Sequence, residues 1–323
     1  MRQARAARRS AATSSNRAGG APQCPPAFPG LRLPIYWKPT EGISKLALDS
    51  ATKFRFLGFA GVFIVMAVWE VFAPRRRQSV GRPRRWPNNL GVAILNLAVV
   101  RVLIPVAAID IAGLGELQGW GLFNNLPRQV DPYLPWAVII PSIILLDLTI
   151  YLQHVVLHAV PALWRLHRMH HADLDFDVTT GVRFHPGEIA ISAIVKLGAV
   201  AAIGPPPQAV LIFEILLNGT SMFNHSNVYM PAAIDRFLRW LVVTPDMHRV
   251  HHSIIRAETD SNFGFNFPWW DRWFGTYRAQ PMAGHLGMTI GVTQFREPKE
   301  LRLDRMLIQP WRGGVGSYPI GGG

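Results

Sequence analysis

Ten of the eleven histidines in this chain fall between His154 and His252, and eight of them form three boxes. The boxes are His154-x3-His158, His167-x2-His170-His171 and His248-x2-His251-His252, with His185 and His225 between them. Residues three or four apart on a helix share a face, so each box can aim two imidazoles at one ion and add a third beside them. Eight imidazoles are more than one ion can use; two ions with four or five ligands each account for them. Imidazole-only sites suit Fe, Zn, Cu or Ni, and spacing does not separate these metals. The single cysteine, Cys24, excludes an intramolecular disulfide, a Cys-based zinc site and an Fe–S cluster. A zinc hydrolase would show an acidic base in an HExxH motif, which is absent. Asp147 and Tyr151 continue the His154–His158 stripe at steps of four and three, one helical face, which points the first box inward and makes Asp147 a candidate for orienting a ligand.

The elements that must carry these boxes are membrane helices. The 323 residues are 49% hydrophobic and 16% charged, with mean hydropathy +0.16, too apolar for an ordinary soluble chain of this length. Apolar runs Phe54 to Phe72, Leu90 to Leu114 and Trp136 to Leu157 are long enough to cross a hydrocarbon core of about 30 Å. Two shorter runs, Ile189 to Gly204 and Ala209 to Met222, are joined by Gly204-Pro205-Pro206-Pro207, which cannot continue a helix, so they read as a tight hairpin. The fold class expected is all-α, a multi-spanning membrane protein with a His-rich cap on the cytoplasmic side.

The net charge of +13 comes from short arginine clusters between apolar runs, which fit membrane-flanking residues facing headgroups and not a nucleic-acid-binding face. Arg75, Arg76, Arg77, Arg82, Arg84 and Arg85 between the first two spans orient the chain, and every histidine box then lies in the cytoplasm. Residues 1–50 read as a flexible Arg- and Pro-rich tail without the apolar core of a signal peptide. Residues 51–135 hold the first two spans and the basic loop, and 281–323 read as a C-terminal tail.

Beyond the boxes stand Arg183-Phe184-His185-Pro186-x-Glu188, Phe223-Asn224-His225-Ser226-Asn227, Thr244-Pro245 before the third box, Asp260-Ser261-Asn262-Phe263-Gly264 and Trp270-Asp271-Arg272-x-Phe274-Gly275-Thr276. With these passages the chain resembles the fatty acid hydroxylase/sterol desaturase superfamily over about residues 140–280, making 136–280 the catalytic domain. The resemblance implies a helical membrane fold with a cytoplasmic dimetal centre, two iron ions, and O2-dependent hydroxylation of a lipid C–H bond. Zinc could replace iron in purified protein. Carried over by position, His154, His158, His167, His170, His171, His248, His251 and His252 are implied ligands, His225 a ninth, and His185 a further candidate for the metal or for orienting its ligands, like Asp147. Arg183 and Glu188 are expected to form a structural pair beside the site.

No dinucleotide or flavin motif and no fused haem domain is visible, so two electrons must come from an external donor of ferredoxin or cytochrome type. Arg165, Arg168, Arg249, Arg256 and Arg272 are candidates for attracting it or for contacting lipid phosphates. The expected location is the inner (plasma) membrane, with lipid as substrate and no nucleic-acid partner. Desaturation on the same centre and a non-redox zinc protein are the alternatives.

Overall fold

A computed structural model of the protein describes residues 45–126 and 135–320, with side chains from residue 53 onward. Among the described residues every named element is helical and no β-strand forms. The first 44 residues of the expected N-terminal tail lie outside this range, and helix α1 (Lys45–Phe72) starts within the remainder. It is followed by α2 (Arg82–Leu103), α3 (Ala108–Gln118), α4 (Trp136–Ala159), α5 (Pro161–His171), α6 (Pro186–Ile203) and α7 (Pro207–Asn224). Shorter helices build the cap: α8 (Ala232–Leu238), α9 (Pro245–His251), α10 (Arg256–Thr259), α11 (Trp269–Trp273), α12 (Gly284–Gly287) and α13 (Leu303–Ile308).

Among the described residues four stretches are long and apolar enough to cross a membrane: Lys53–Phe72, Arg82–Asn125, Trp136–Ala159 and Pro186–Ile203. The second is not one continuous helix. Pro105 follows α2 and has no N–H to continue it, so the chain breaks and restarts as α3. The expected hairpin is present: α6 ends at Gly204, whose φ of +65° is a left-handed conformation that glycine adopts without penalty, and α7 begins three residues later. Helices α3, α4, α6 and α7 share one apolar core around Leu146, Val210 and Phe213. Phe56, Leu57, Ile94, Leu97 and Ile194 stay exposed on the helix surfaces, as lipid-facing side chains must.

The arginines of the 73–85 segment do not face headgroups as a group. Arg85 is fully buried, with Nη2 2.7 Å from Asp173 Oδ2 and a further pair with Asp177. Arg75 reaches Asp246 at 3.0 Å, and Arg76 donates to the carbonyls of His285 and Met288. Burial explains the difference: acidic residues on the cap neutralise these guanidiniums and fasten it to the helices. Arg168 and Arg249 are likewise buried, which removes them from a donor-docking surface. Arg168 donates to the carbonyls of Gln309 and Arg312 at 2.6 and 2.5 Å, and Arg249 pairs with Asp246.

Residues past 280, read above as a tail, are packed structure. Tyr318 stacks on Trp164 of α5 with ring centroids 5.5 Å apart, Met306 of α13 joins Val92 and Met169, and the Ile320 N–H donates to the His158 carbonyl at 3.1 Å. The physical reason is apolar: Val292, Met306 and Tyr318 are almost wholly removed from solvent against α2 and α5.

Candidate metal centre

Each box sits at a helix end, where two imidazoles on one face meet those of the next element. His154 and His158 lie near the end of α4, His167, His170 and His171 close α5, and His248 and His251 line α9, with His252 as its cap. Pro161 and Pro245 open α5 and α9, and Thr244 caps α9 by accepting the Met247 N–H, so the register of each box is fixed locally. His225 ends α7.

The nine imidazoles part into two buried groups. His154, His158, His167, His171 and His251 form one; His170, His225, His248 and His252 form the other; within each group the ligand nitrogens lie within 4.8 Å of one another. Nε2 atoms approach closely: His154 to His167 at 3.1 Å, His171 to His167 at 3.2 Å, and His225 to His170 and to His248 at 3.1 Å each. Adjacent nitrogens bonded at about 2.1 Å to one six-coordinate ion stand about 3.0 Å apart, so the separations suit a metal. Nε2 of His251 and both ring nitrogens of His158 and His252 are buried without a hydrogen-bond partner, and on each of these rings a metal would satisfy one nitrogen.

The other ring nitrogen is tied down in most of the set, which fixes the tautomer that turns Nε2 inward. Nδ1 of His154, His225 and His251 donates to the carbonyls of Phe263, Ser221 and Ser261, each at 2.7 Å, and that of His170 to Arg183 O at 3.2 Å. His167 Nδ1 lies 2.7 Å from Glu188 Oε1, whereas Asp260 Oδ1, 3.5 Å from His158 Nδ1, stands near that ring without a hydrogen bond to it. Burial, reinforced by neighbouring imidazoles, holds His170, His171, His248, His251 and His252 well below the ordinary histidine range, in the neutral form that ligates.

Aromatic rings wall the two groups. Phe184 stacks on His170 at 4.3 Å, Trp164 lies 4.9 Å from His158, Phe176 5.1 Å from His252, and Phe265 spans both groups, 5.2 Å from His154 and 6.2 Å from His248. Phe265 also packs on the core shared by α3, α4, α6 and α7, so it stands between the histidines and the membrane helices.

His185 and Asp147 lie outside both groups. His185 caps α6, its Nδ1 accepting the Gly187 N–H at 3.0 Å and its Nε2 meeting Leu307 O at 3.1 Å. Asp147 accepts the Trp270 indole N–H at 2.8 Å and touches no histidine. Arg183 and Glu188 do not pair: Arg183 donates to Met169 O and Asn89, while Glu188 holds His167. Sequence reasoning missed Glu188 and Asp260 as neighbours of histidines; their place in the RFHPxE and DSNFG passages was the available signal.

A model of the fatty acid hydroxylase family matches residues 139–276. Ornithine lipid hydroxylase OlsE of Rhizobium tropici is 26% identical over 48% of this chain and 45% of its own length. Alkylglycerol monooxygenase of Xenopus tropicalis is 24% identical over 81% of this chain and 54% of its own, and cholesterol 25-hydroxylase of Rattus norvegicus 23% over 72% and 76%. The chain thus spans about half the length of the first two relatives. No solved structure matches it. All nine clustered histidines lie inside the stretch that the family model covers, and over that stretch the chain is similar to the fatty acid hydroxylase family.

Proposed function

We propose that this protein is a membrane-bound oxidoreductase that uses O2 and two external electrons to hydroxylate a lipid C–H bond, with two iron ions held by the nine clustered histidines. The observation that carries the reading is the division of the nine buried imidazoles into groups of five and four, each with nitrogens at ligand spacing. Bound there, two irons would supply the activation of O2. The protein's own residues do the rest. Glu188 and the carbonyls of Phe263, Ser221 and Ser261 orient the rings. Phe184, Phe265, Phe176 and Trp164 keep bulk water from the centre, which protects a C–H oxidation from side reactions. The family includes relatives named as hydroxylases and monooxygenases, which supports hydroxylation over desaturation. The cap faces the cytoplasm of the inner membrane, where a ferredoxin- or cytochrome-type donor can reach it.

The test is metal analysis of purified protein joined to O2 uptake and mass spectrometry of the lipids of a strain lacking the gene. About two irons per chain and a missing hydroxylated lipid are expected, and His171→Ala should lose activity and metal together. Full activity in His171→Ala, or stoichiometric zinc without O2 uptake, overturns the proposal.

A further inference from the structure

Part of the cap packs against the middle of α4, a helix long and apolar enough to cross a membrane. Each helical residue rises about 1.5 Å, so Tyr151 lies about 12 Å and Asp147 about 18 Å before the end of α4 at Ala159. Residues 262–274 pack there: Phe274 stacks on Tyr151 with centroids 5.5 Å apart, and Trp270 donates to Asp147 and clusters with Ile144, Leu148 and Val155. Irregular backbone at that depth survives only if its N–H groups find partners inside the protein. Two buried carboxylates supply them. Asp147 accepts the N–H groups of Asn266 and Phe267 at 3.3 Å each, and Asp271 those of Phe263 and Gly264 at 2.8 and 3.0 Å. A Cβ on Gly264 would stand 2.8 Å from an Asp271 oxygen and 2.9 Å from Phe267 O, so the loop closes only around glycine.

The outer face of this segment is apolar and bare. Trp273 is 71% exposed and Phe274 56%; Trp240, tied to the segment by Trp269 Nε1 at 2.8 Å, is 59% exposed, and Phe237 64%. Phe274 continues the lipid-facing side of α4, where Leu152 and Val156 are also exposed. Arg272 lies 4.2 Å from the Trp240 ring and 4.1 Å from Tyr277, and Arg236 ends α8 nearby. Tryptophan with arginine is the composition of a membrane interface, with the cations placed for anionic headgroups.

We infer that residues 262–274, together with 237–241, form a re-entrant foot that sits in the lipid leaflet beneath the cap, held there by Asp147 and Asp271. Its occupant is lipid, not a partner protein. The inner side of the same segment carries Phe265 against His154 and His248, so the foot links that leaflet to the metal centre. The inference depends on membrane insertion and not on the reaction proposed above.

The test uses the full chain with Cys24→Ser and single cysteines at Trp273→Cys, Phe237→Cys and, as an aqueous reference, Lys299→Cys. Each carries a nitroxide in nanodiscs of phosphatidylcholine with phosphatidylglycerol, and power saturation compares collision with O2 and with a water-soluble nickel chelate. Labels at 273 and 237 should collide several-fold more with O2 than with nickel, and the label at 299 should show the reverse. Nickel collision at 273 and 237 equal to that at 299 overturns the foot. So does nickel access that is lost only when a soluble acidic redox protein is added, which would make the face a protein-docking surface. Leu241→Cys replaces Trp273→Cys if the latter does not fold.

Discussion

At His167 two imidazoles and one carboxylate converge: Nε2 lies 3.1 and 3.2 Å from His154 and His171, and Nδ1 2.7 Å from Glu188. Glu188→Gln keeps a hydrogen-bonding group but removes the charge that makes the ring a stronger donor to metal. Metal retention against a chelator should fall roughly ten- to a hundredfold; retention equal to the parent would make Glu188 passive. His285 behaves differently. It lies buried 3.5 Å from Asp246, and desolvation, opposed by that carboxylate and aided by Arg249, lowers its pKa from 6.5 to about 4. A depressed folded pKa means the neutral form stabilises the fold above pH 6.5, and this contribution is lost as pH falls through 6.5 toward 4. His285→Gln should therefore lose about 2 kcal/mol less stability than the parent over that interval, read as unfolding midpoints in detergent against pH. Eight of the nine imidazoles were legible in the sequence because a three- or four-residue step on a helix is itself the ligand geometry, whereas His225 stands alone and came only through the family resemblance. Their outer partners were not, since the carbonyls of Phe263, Arg183, Ser221 and Ser261 belong to the backbone and carry no residue-type signature.

Helix α2 shows why local pattern misled at the next scale. An arginine-rich stretch ahead of an apolar run has the form of a headgroup anchor, yet Arg85 is wholly buried between Asp173 and Asp177, 88 and 92 residues further along the chain. The pairing lies in tertiary contact, and only the cluster Asp173, Asp175 and Asp177 hinted at it. Asp173 follows the second box by two residues, so α2 braces that box. Arg85→Met leaves Asp177 without its cation and Asp173 with only Arg183, 3.9 Å away, and should cost about 3–5 kcal/mol, measured by unfolding in detergent. An unchanged midpoint would mean that Asp173 and Asp177 have other compensation. The 188–222 hairpin was readable from its prolines, whereas the break before α3 needed Pro105 to be weighed above the hydropathy of the run it interrupts.

On the scale of the whole molecule, the contacts already place the 73–81 loop and the cap on one side: Arg75 holds Asp246 and Gln78 donates to Asp177 at 2.8 Å. Leu122 N–H, past α3, donates instead to Ala202 O beside the turn of the hairpin. Reporters fused after Gln78 and Ser253 should both read cytoplasm and one after Gly119 the outside; a split between 78 and 253 would refute the arrangement. The all-helical membrane fold was visible in composition and run length, but the packed residues past 280 were not, because their few apolar side chains are spread among Pro, Gly and Arg without a period. That late segment has a consequence for biosynthesis. Carbonyls of residues 309–314 cradle Arg168, and Tyr318 covers Trp164 behind His158 and His171. The ribosome makes these residues only after all nine histidines have emerged, so the nascent chain displays its imidazoles before the wall behind them exists, and the centre closes after translation has passed them.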